Sequence, residues 1–157
     1  MKPLTRRQFD KLARELFGAV LSPYGFSCNE SKRCTFVRQI SDDVFHIILP
    51  DPGPRCTWYD VNVFPTSPKF YADFAEKFPD DLGFTLDSWS KLSESAGAGM
   101  DQQQFNCKYE SNMRNRFAQT VALLLTDVAV PFLDRIQTYK DILPHLRGPF
   151  SRFKNGT

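Results

Sequence analysis

Two amphipathic helical stripes, one near each end of the chain, constrain the fold more than any other feature of the sequence. The first follows Thr5-Arg6-Arg7-Gln8, a capping box in which the Thr5 and Gln8 side chains satisfy free amides of the first helical turn. Apolar residues then recur at helical spacing at Phe9, Leu12, Ala13, Leu16, Phe17, Val20 and Leu21. Pro23 and Gly25 are predicted to end this helix.

The second stripe lies in the C-terminal region. Its apolar residues are Phe117, Val121, Leu124, Leu125, Val128 and Phe132. Ser111 or Asn112 is the predicted N-cap, and Pro131 is expected to kink or break the helix because it lacks an amide hydrogen. A last short helix is predicted over 139–146.

Strand-forming residues occupy the segment between these helices. Residues 35–40 and 44–49 flank the polar turn Ser41-Asp42-Asp43 and predict a hairpin. The sequence PDPGP at 50–54 predicts a loop, since proline cannot donate to a strand ladder. Residues 56–64 alternate, with Tyr59, Val61 and Val63 predicted on one face, and 102–109 is a candidate fourth strand.

These elements predict an α+β domain. Each amphipathic helix needs an apolar surface, and one face of a small sheet can cover both. We therefore expect a small antiparallel sheet of three to five strands, with the N-terminal and C-terminal helices packed on one face. At 157 residues the chain suits a single domain, predicted over residues 1–150, followed by a flexible tail over 151–157.

Charge is distributed unevenly along the sequence. Residues 42–90 hold nine acidic and three basic side chains, a net charge of −6, whereas residues 1–16 carry +3 and residues 135–157 carry +4. If the two termini lie together, the molecule has a basic pole and an acidic face, a pattern that steers binding of charged protein partners. The acidic stretch also contains the densest aromatic residues, which argues against nucleic acid as a partner.

The cysteines and the N-terminus predict a cytoplasmic protein. The first residues lack the uncharged apolar core of a signal peptide, and no apolar run suggests a membrane span. The four cysteines (Cys28, Cys34, Cys56 and Cys107) form no CxxC pair, so reduced, buried thiols are expected. Two histidines are too few for a usual zinc site, and the sequence predicts no metal and no cofactor.

Several short motifs occur together in a familiar order. VLSPYGF at 20–26 is followed by TFVR at 35–38, YDVNV at 59–63, and VPFLD at 130–134 ahead of YKDIL at 139–143. Over roughly residues 9–146 this order resembles the bacterial family called domain of unknown function 4304. The resemblance implies an intracellular bacterial α+β domain and carries no catalytic residues.

The sharpest catalytic constellation in the sequence is Cys34 or Cys56 with His46 and Asp60, a Cys–His–Asp arrangement on neighbouring strands. No glycine-rich turn adjoins either cysteine to build an oxyanion hole. His46 is more simply a strand histidine facing Arg38 or solvent. The carboxylates Asp42, Asp43, Asp51 and Asp60 match no metal-binding loop, and phosphate-loop and dinucleotide motifs are absent from the sequence.

The aromatic residues beside the acidic ones suggest a protein interface. Its predicted partner-binding residues are Trp58, Asp60, Phe70, Tyr71 and Asp73. The leading hypothesis is a non-enzymatic bacterial protein-binding domain, of which an immunity-type antitoxin partner is one version. The alternatives are a small cysteine- and histidine-dependent hydrolase or transferase, and a small-ligand-binding domain.

Overall fold

A computed structural model describes residues 1–29, 34–70 and 105–145 of the chain. The helices with both ends inside the described residues are α1 (Arg6–Leu21), α2 (Glu110–Asp134) and α3 (Tyr139–Ile142), with 3-10 turns at Ser22–Tyr24 and Leu143–His145. The strands are β1 (Ser27–Asn29), β2 (Thr35–Gln39), β3 (Phe45–Pro52) and β4 (Tyr59–Thr66). The flexible tail predicted at 151–157 lies outside the described residues.

The strands form one antiparallel sheet in the order β1-β2-β3-β4. The predicted hairpin is confirmed, with Val37 opposite Ile47 and Arg38 opposite His46. The fourth strand is β1 and not the predicted 102–109 segment, of which the described part makes an isolated bridge between Asn106 and Trp58. The α+β class and the antiparallel sheet are therefore confirmed.

The prediction of a loop starting at Pro50 was wrong. β3 continues through Pro50 and Pro52, which pair with Val61 and Tyr59 of β4. In the described sheet, β2 pairs with β3 no further than Ile48. Two prolines at alternate positions direct their missing N–H groups to the same side of the strand, and on the β2 side no ladder bond is left to lose.

Both long helices pack on the same face of the sheet, as the two stripes predict. The Thr5–Gln8 capping box is formed, and α1 buries Phe9, Leu12, Ala13, Phe17 and Leu21. Phe17 is fully buried, and its ring centroid lies 6.1 Å from Phe36 of β2, 6.1 Å from Tyr59 of β4 and 5.0 Å from Phe117 of α2. This side chain joins four elements in one aromatic cluster.

Helix α2 is not broken at Pro131 but continues to Asp134. The distortion takes the form of two widened π-type segments, in which Ala122 N–H donates to Phe117 O and Val130 N–H donates to Leu125 O. In a regular helix each step of four residues rotates about 40° beyond a full turn. The wider turns reduce this drift, so that residues four apart stay on one buried line, namely Met113, Phe117, Val121, Leu125, Ala129 and Leu133.

The second face of the sheet is covered by the chain that follows α2. A separate apolar cluster joins Ile47 and Phe64 of the sheet to Phe70, Ile136 and Ile142. α3 begins with its own capping box between Thr138 and Asp141. The C-terminal region therefore contacts both faces, α2 on one and α3 on the other.

Candidate functional site

A polar cluster in the described residues is centred on His46, which is fully buried on β3. Its Nε2 lies 2.7 Å from the carbonyl oxygen of Ile136, and its Nδ1 lies 3.2 Å from Nε of Arg38. A carbonyl accepts and a guanidinium donates, so the imidazole is neutral, with its proton on Nε2. Arg38 also donates to Asp134 at 2.8 Å and to the carbonyl of Tyr24 at 3.0 Å.

Burial is the main cause that lowers the pKa of His46 from 6.5 to about 4. The hydrogen bond to the Ile136 carbonyl opposes this shift, the positive charge of Arg38 adds to it, and Asp134 opposes it. The cluster ties β2 and β3 to the end of α2 and to the turn after α1. These hydrogen bonds hold His46 in one tautomer, and the role of the cluster is to stabilise the packing of these elements.

Replacing Arg38 by methionine should raise the pKa of His46 above 4, towards its ordinary value. The change removes a nearby positive charge and the donors that hold Nδ1 in its unprotonated state. NMR titration of the imidazole measures this shift. Asp134→Asn is the matched control, and it should leave the pKa of His46 unchanged or lower it, because the carboxylate favours the charged ring. A His46 pKa that stays at about 4 in Arg38→Met would contradict this electrostatic account.

The predicted Cys–His–Asp triad is not assembled. His46 pairs with Pro65, and Asp60 pairs with Asp51 five residues along β3, so that His46 and Asp60 point to opposite faces of the sheet. Cys34 precedes β2 and is four residues from Arg38, the partner of His46, a separation of about 13 Å along the strand. The prediction of neighbouring strands holds for His46 on β3 and Asp60 on β4, but the sequence could not fix their register, and Cys34 and Cys56 both lie outside the strands.

Cys56 lies still further away, in the turn after β3, where it adopts a positive φ of 50°. It is buried, and the Cys107 thiol donates to its carbonyl oxygen at 3.2 Å. Burial raises the pKa of Cys56, and burial followed by the proximity of Cys56 raises the pKa of Cys107 to about 12. Neither thiol has the stabilised thiolate that nucleophilic catalysis requires.

Two of the predicted partner-binding residues, Phe70 and Asp60, are buried and so are not available at the surface. Phe70 is only 2% exposed and packs against Tyr139, with ring centroids 5.9 Å apart. Asp60 is 5% exposed and accepts the Val61 amide at 2.8 Å. Trp58 is half-buried, with its ring on Gly53. Tyr71 and Asp73 lie outside the described residues.

The basic pole predicted from the two termini is not formed by the described residues. Near the N-terminus, the Leu4 amide bonds to Lys108 and Glu15 pairs with Arg114, which places this end of α1 beside the start of α2. The far end of α1 approaches the end of α2, where Arg38 bridges Tyr24 and Asp134. Residues 135–145 therefore lie at the opposite end of α1 from the N-terminus.

Exposed acidic and basic side chains lie on different elements of the described structure. Asp42 and Asp43 are exposed in the turn between β2 and β3, where the Asp43 amide donates to Ser41. Arg7 and Lys11 lie one turn apart on the exposed side of α1. Across the described ranges, no group of three or more His, Cys, Asp or Glu side chains is arranged to hold a metal ion.

Helix α2 is long and apolar enough to cross a membrane, by length and composition alone. It is the one such helix in the described part of the chain. Its buried side chains belong to the same core cluster as those of α1 and the sheet. A helix that is buried in a protein core can meet the same criteria of length and composition.

Comparison of the chain with protein-family models, with curated proteins and with solved structures gave no match. The resemblance to the domain of unknown function 4304 family therefore stays a prediction from the sequence motifs. The sequence indicated part of the His46 cluster, because the predicted hairpin places Arg38 opposite His46. Asp134 and Ile136 carried no such signal, since they lie about ninety residues away in the chain.

Proposed function

We propose that this chain is a non-enzymatic protein-binding domain, and that its partner is a basic protein. The finer version is a bacterial, cytoplasmic immunity-type protein whose acidic surface covers the basic site of a toxin. The charge distribution supports this version, because residues 42–90 carry a net charge of −6. Opposite charges across an interface accelerate encounter and select the partner.

The observation that carries the proposal is the state of the reactive side chains. Both ring nitrogens of His46 are occupied by Arg38 and the Ile136 carbonyl, and the ring is fully buried. Burial raises the pKa of the Cys56 and Cys107 thiols, which keeps them protonated near neutral pH. These groups serve the packing of the domain, and its charged surface is left for recognition.

The β2–β3 turn provides the exposed acidic residues on which this proposal can be tested. Asp42 and Asp43 are both exposed, and the one described ion pair of this turn is a 3.7 Å contact between Asp43 and Lys69 at the surface. Reversing both charges should therefore leave the core unchanged. The same change takes the net charge of residues 42–90 from −6 to −2, since two acidic residues become basic.

The double variant Asp42→Lys/Asp43→Lys should capture about tenfold less of the partner than the wild type at low salt, because the acidic surface steers the encounter. Capture from native lysate across a range of salt concentrations, quantified by mass spectrometry, measures this loss. Arg7→Glu/Lys11→Glu is the matched control, with two exposed charges reversed on α1, and it should retain the same partner.

Two results would overturn the proposal. One is the absence of any specific, salt-dependent partner for the wild-type chain. The other is capture that survives reversal of Asp42 and Asp43 but is lost on reversal of Arg7 and Lys11, which would place the binding surface on α1.

A further inference from the structure

Two of the cysteines, Cys28 on β1 and Cys34 just before β2, lie close together. The Cys34 side chain hydrogen-bonds the Cys28 side chain. Cys28 pairs with Phe36 in the strand register, and Cys34 is two residues before Phe36, so both thiols lie on the face that α1 covers. Neither cysteine is part of a disulfide. Cys28 is half-buried, whereas Cys34 is 1% exposed.

We propose that Cys28 and Cys34 form a disulfide site that closes by thiol–disulfide exchange with a small disulfide of the glutathione class. This inference is independent of the proposed binding function. Because Cys34 precedes β2 and is outside the ladder, its backbone can adjust to bring the two sulfur atoms from hydrogen-bond contact to the bonding distance of about 2.05 Å.

The exchange has two balanced steps. The more accessible Cys28 thiolate attacks one sulfur of the small disulfide, forms a mixed disulfide and releases one small thiol. Cys34 then loses its proton and attacks the Cys28 sulfur, which releases the second small thiol. In sum, two protein thiols are oxidised to one disulfide, and the small disulfide is reduced by two electrons to two thiols.

The surroundings of Cys34 make it the second of the two to react. Burial is the first cause that raises the pKa of Cys34, followed by the charge of Cys28 and the hydrogen bond to Cys28. Formation of the mixed disulfide on Cys28 removes the second and third of these causes. Arg14 then remains as a positive charge that favours the Cys34 thiolate, while Asp10 opposes it. Modification of Cys28 therefore makes it easier for the Cys34 thiol to lose its proton.

The other cysteine pair of the chain serves as an internal control. The Cys107 thiol donates to the carbonyl oxygen of Cys56 and not to its sulfur, and both residues are buried. We therefore expect glutathione disulfide to link the first pair and leave the second pair as thiols.

The experiment treats the full chain with glutathione disulfide and follows intact mass, peptide mapping and thermal unfolding. We expect a loss of two hydrogens in the intact mass and a Cys28–Cys34 linked peptide. The Tm should rise by about 5 °C, because the disulfide restricts the conformations of the unfolded chain. Cys34→Ser should accumulate a stable glutathione adduct on Cys28. Cys28→Ser should show neither the adduct nor the link.

Three outcomes would overturn the proposal. The first is wild-type chain that carries only glutathione adducts without loss of two hydrogens. The second is a Cys56–Cys107 link that forms as fast as the Cys28–Cys34 link. The third is Cys34→Ser that gains no adduct on Cys28.

Discussion

Replacing Phe17 by alanine should lower the free energy of unfolding by about 4 kcal/mol, the typical cost of removing a buried phenylalanine. The ring is fully buried and contacts Phe36, Tyr59 and Phe117, which belong to β2, β4 and α2. A cavity at this point is lined by residues from several elements, so no single shift of the backbone can fill it. Urea denaturation of the wild type and the variant at neutral pH measures the difference.

Two controls separate loss of packing from loss of apolar area. Phe17→Leu keeps most of the volume and should cost less than half as much. Leu123→Ala, on the 60% exposed side chain of α2, should change stability by no more than about 0.5 kcal/mol. If Phe17→Ala costs no more than Leu123→Ala, the shared packing of α1 and α2 on the sheet is not the main source of stability.

Acidification from pH 6.5 to 4 should remove about 3 kcal/mol of stability through His46 alone. The pKa of His46 is about 4 in the folded chain, below the ordinary value of 6.5 that applies when the chain is unfolded. The unfolded chain therefore binds the proton first as the pH falls. The contribution of the neutral ring is fully present above pH 6.5 and is lost progressively as the pH approaches 4.

His46→Gln provides the comparison, because glutamine does not titrate. The variant should be less stable than the wild type at pH 7, since Arg38 and the Ile136 carbonyl lose a fitted partner. The gap between the two proteins should then shrink as the pH falls, because only the wild type loses the contribution of a neutral histidine. Unfolding free energies that fall in parallel for both proteins over this range would show that His46 is not the titrating group.

The local parts of the fold could be predicted from the sequence. The Thr5–Gln8 capping box, the α1 stripe and the β2–β3 hairpin depend on residues close together in the chain, and all are formed. The alternation in β4 was predicted correctly as well, with Val61 in one core cluster and Phe64 in the other. The predicted α2 stripe is buried at Phe117, Val121 and Leu125. Its other members, Leu124, Val128 and Phe132, are only half-buried, because the widened turns keep a four-residue spacing on the buried line.

The remaining parts depend on distant residues. β1 is three residues long and has no apolar alternation, so only its pairing with β2 defines it as a strand. Pro50 and Pro52 are tolerated in β3 because the pairing of β2 with β3 ends before them. This depends on the register of the strands, which the strand propensity of single residues does not reveal. The partner surface was predicted from composition, which cannot distinguish an interface aromatic residue from a core one such as Phe70.

The shared packing of α1 and α2 also affects how the protein is made. The apolar cluster on the first face of the sheet includes Leu133 as well as Phe9, and these residues lie far apart in the chain. During translation the apolar side of α1 leaves the ribosome long before its cover exists, at a rate of roughly 5–20 residues per second. The nascent chain therefore exposes the apolar side of α1 for several seconds until Leu133 has been synthesised, an interval in which chaperone protection has the most effect.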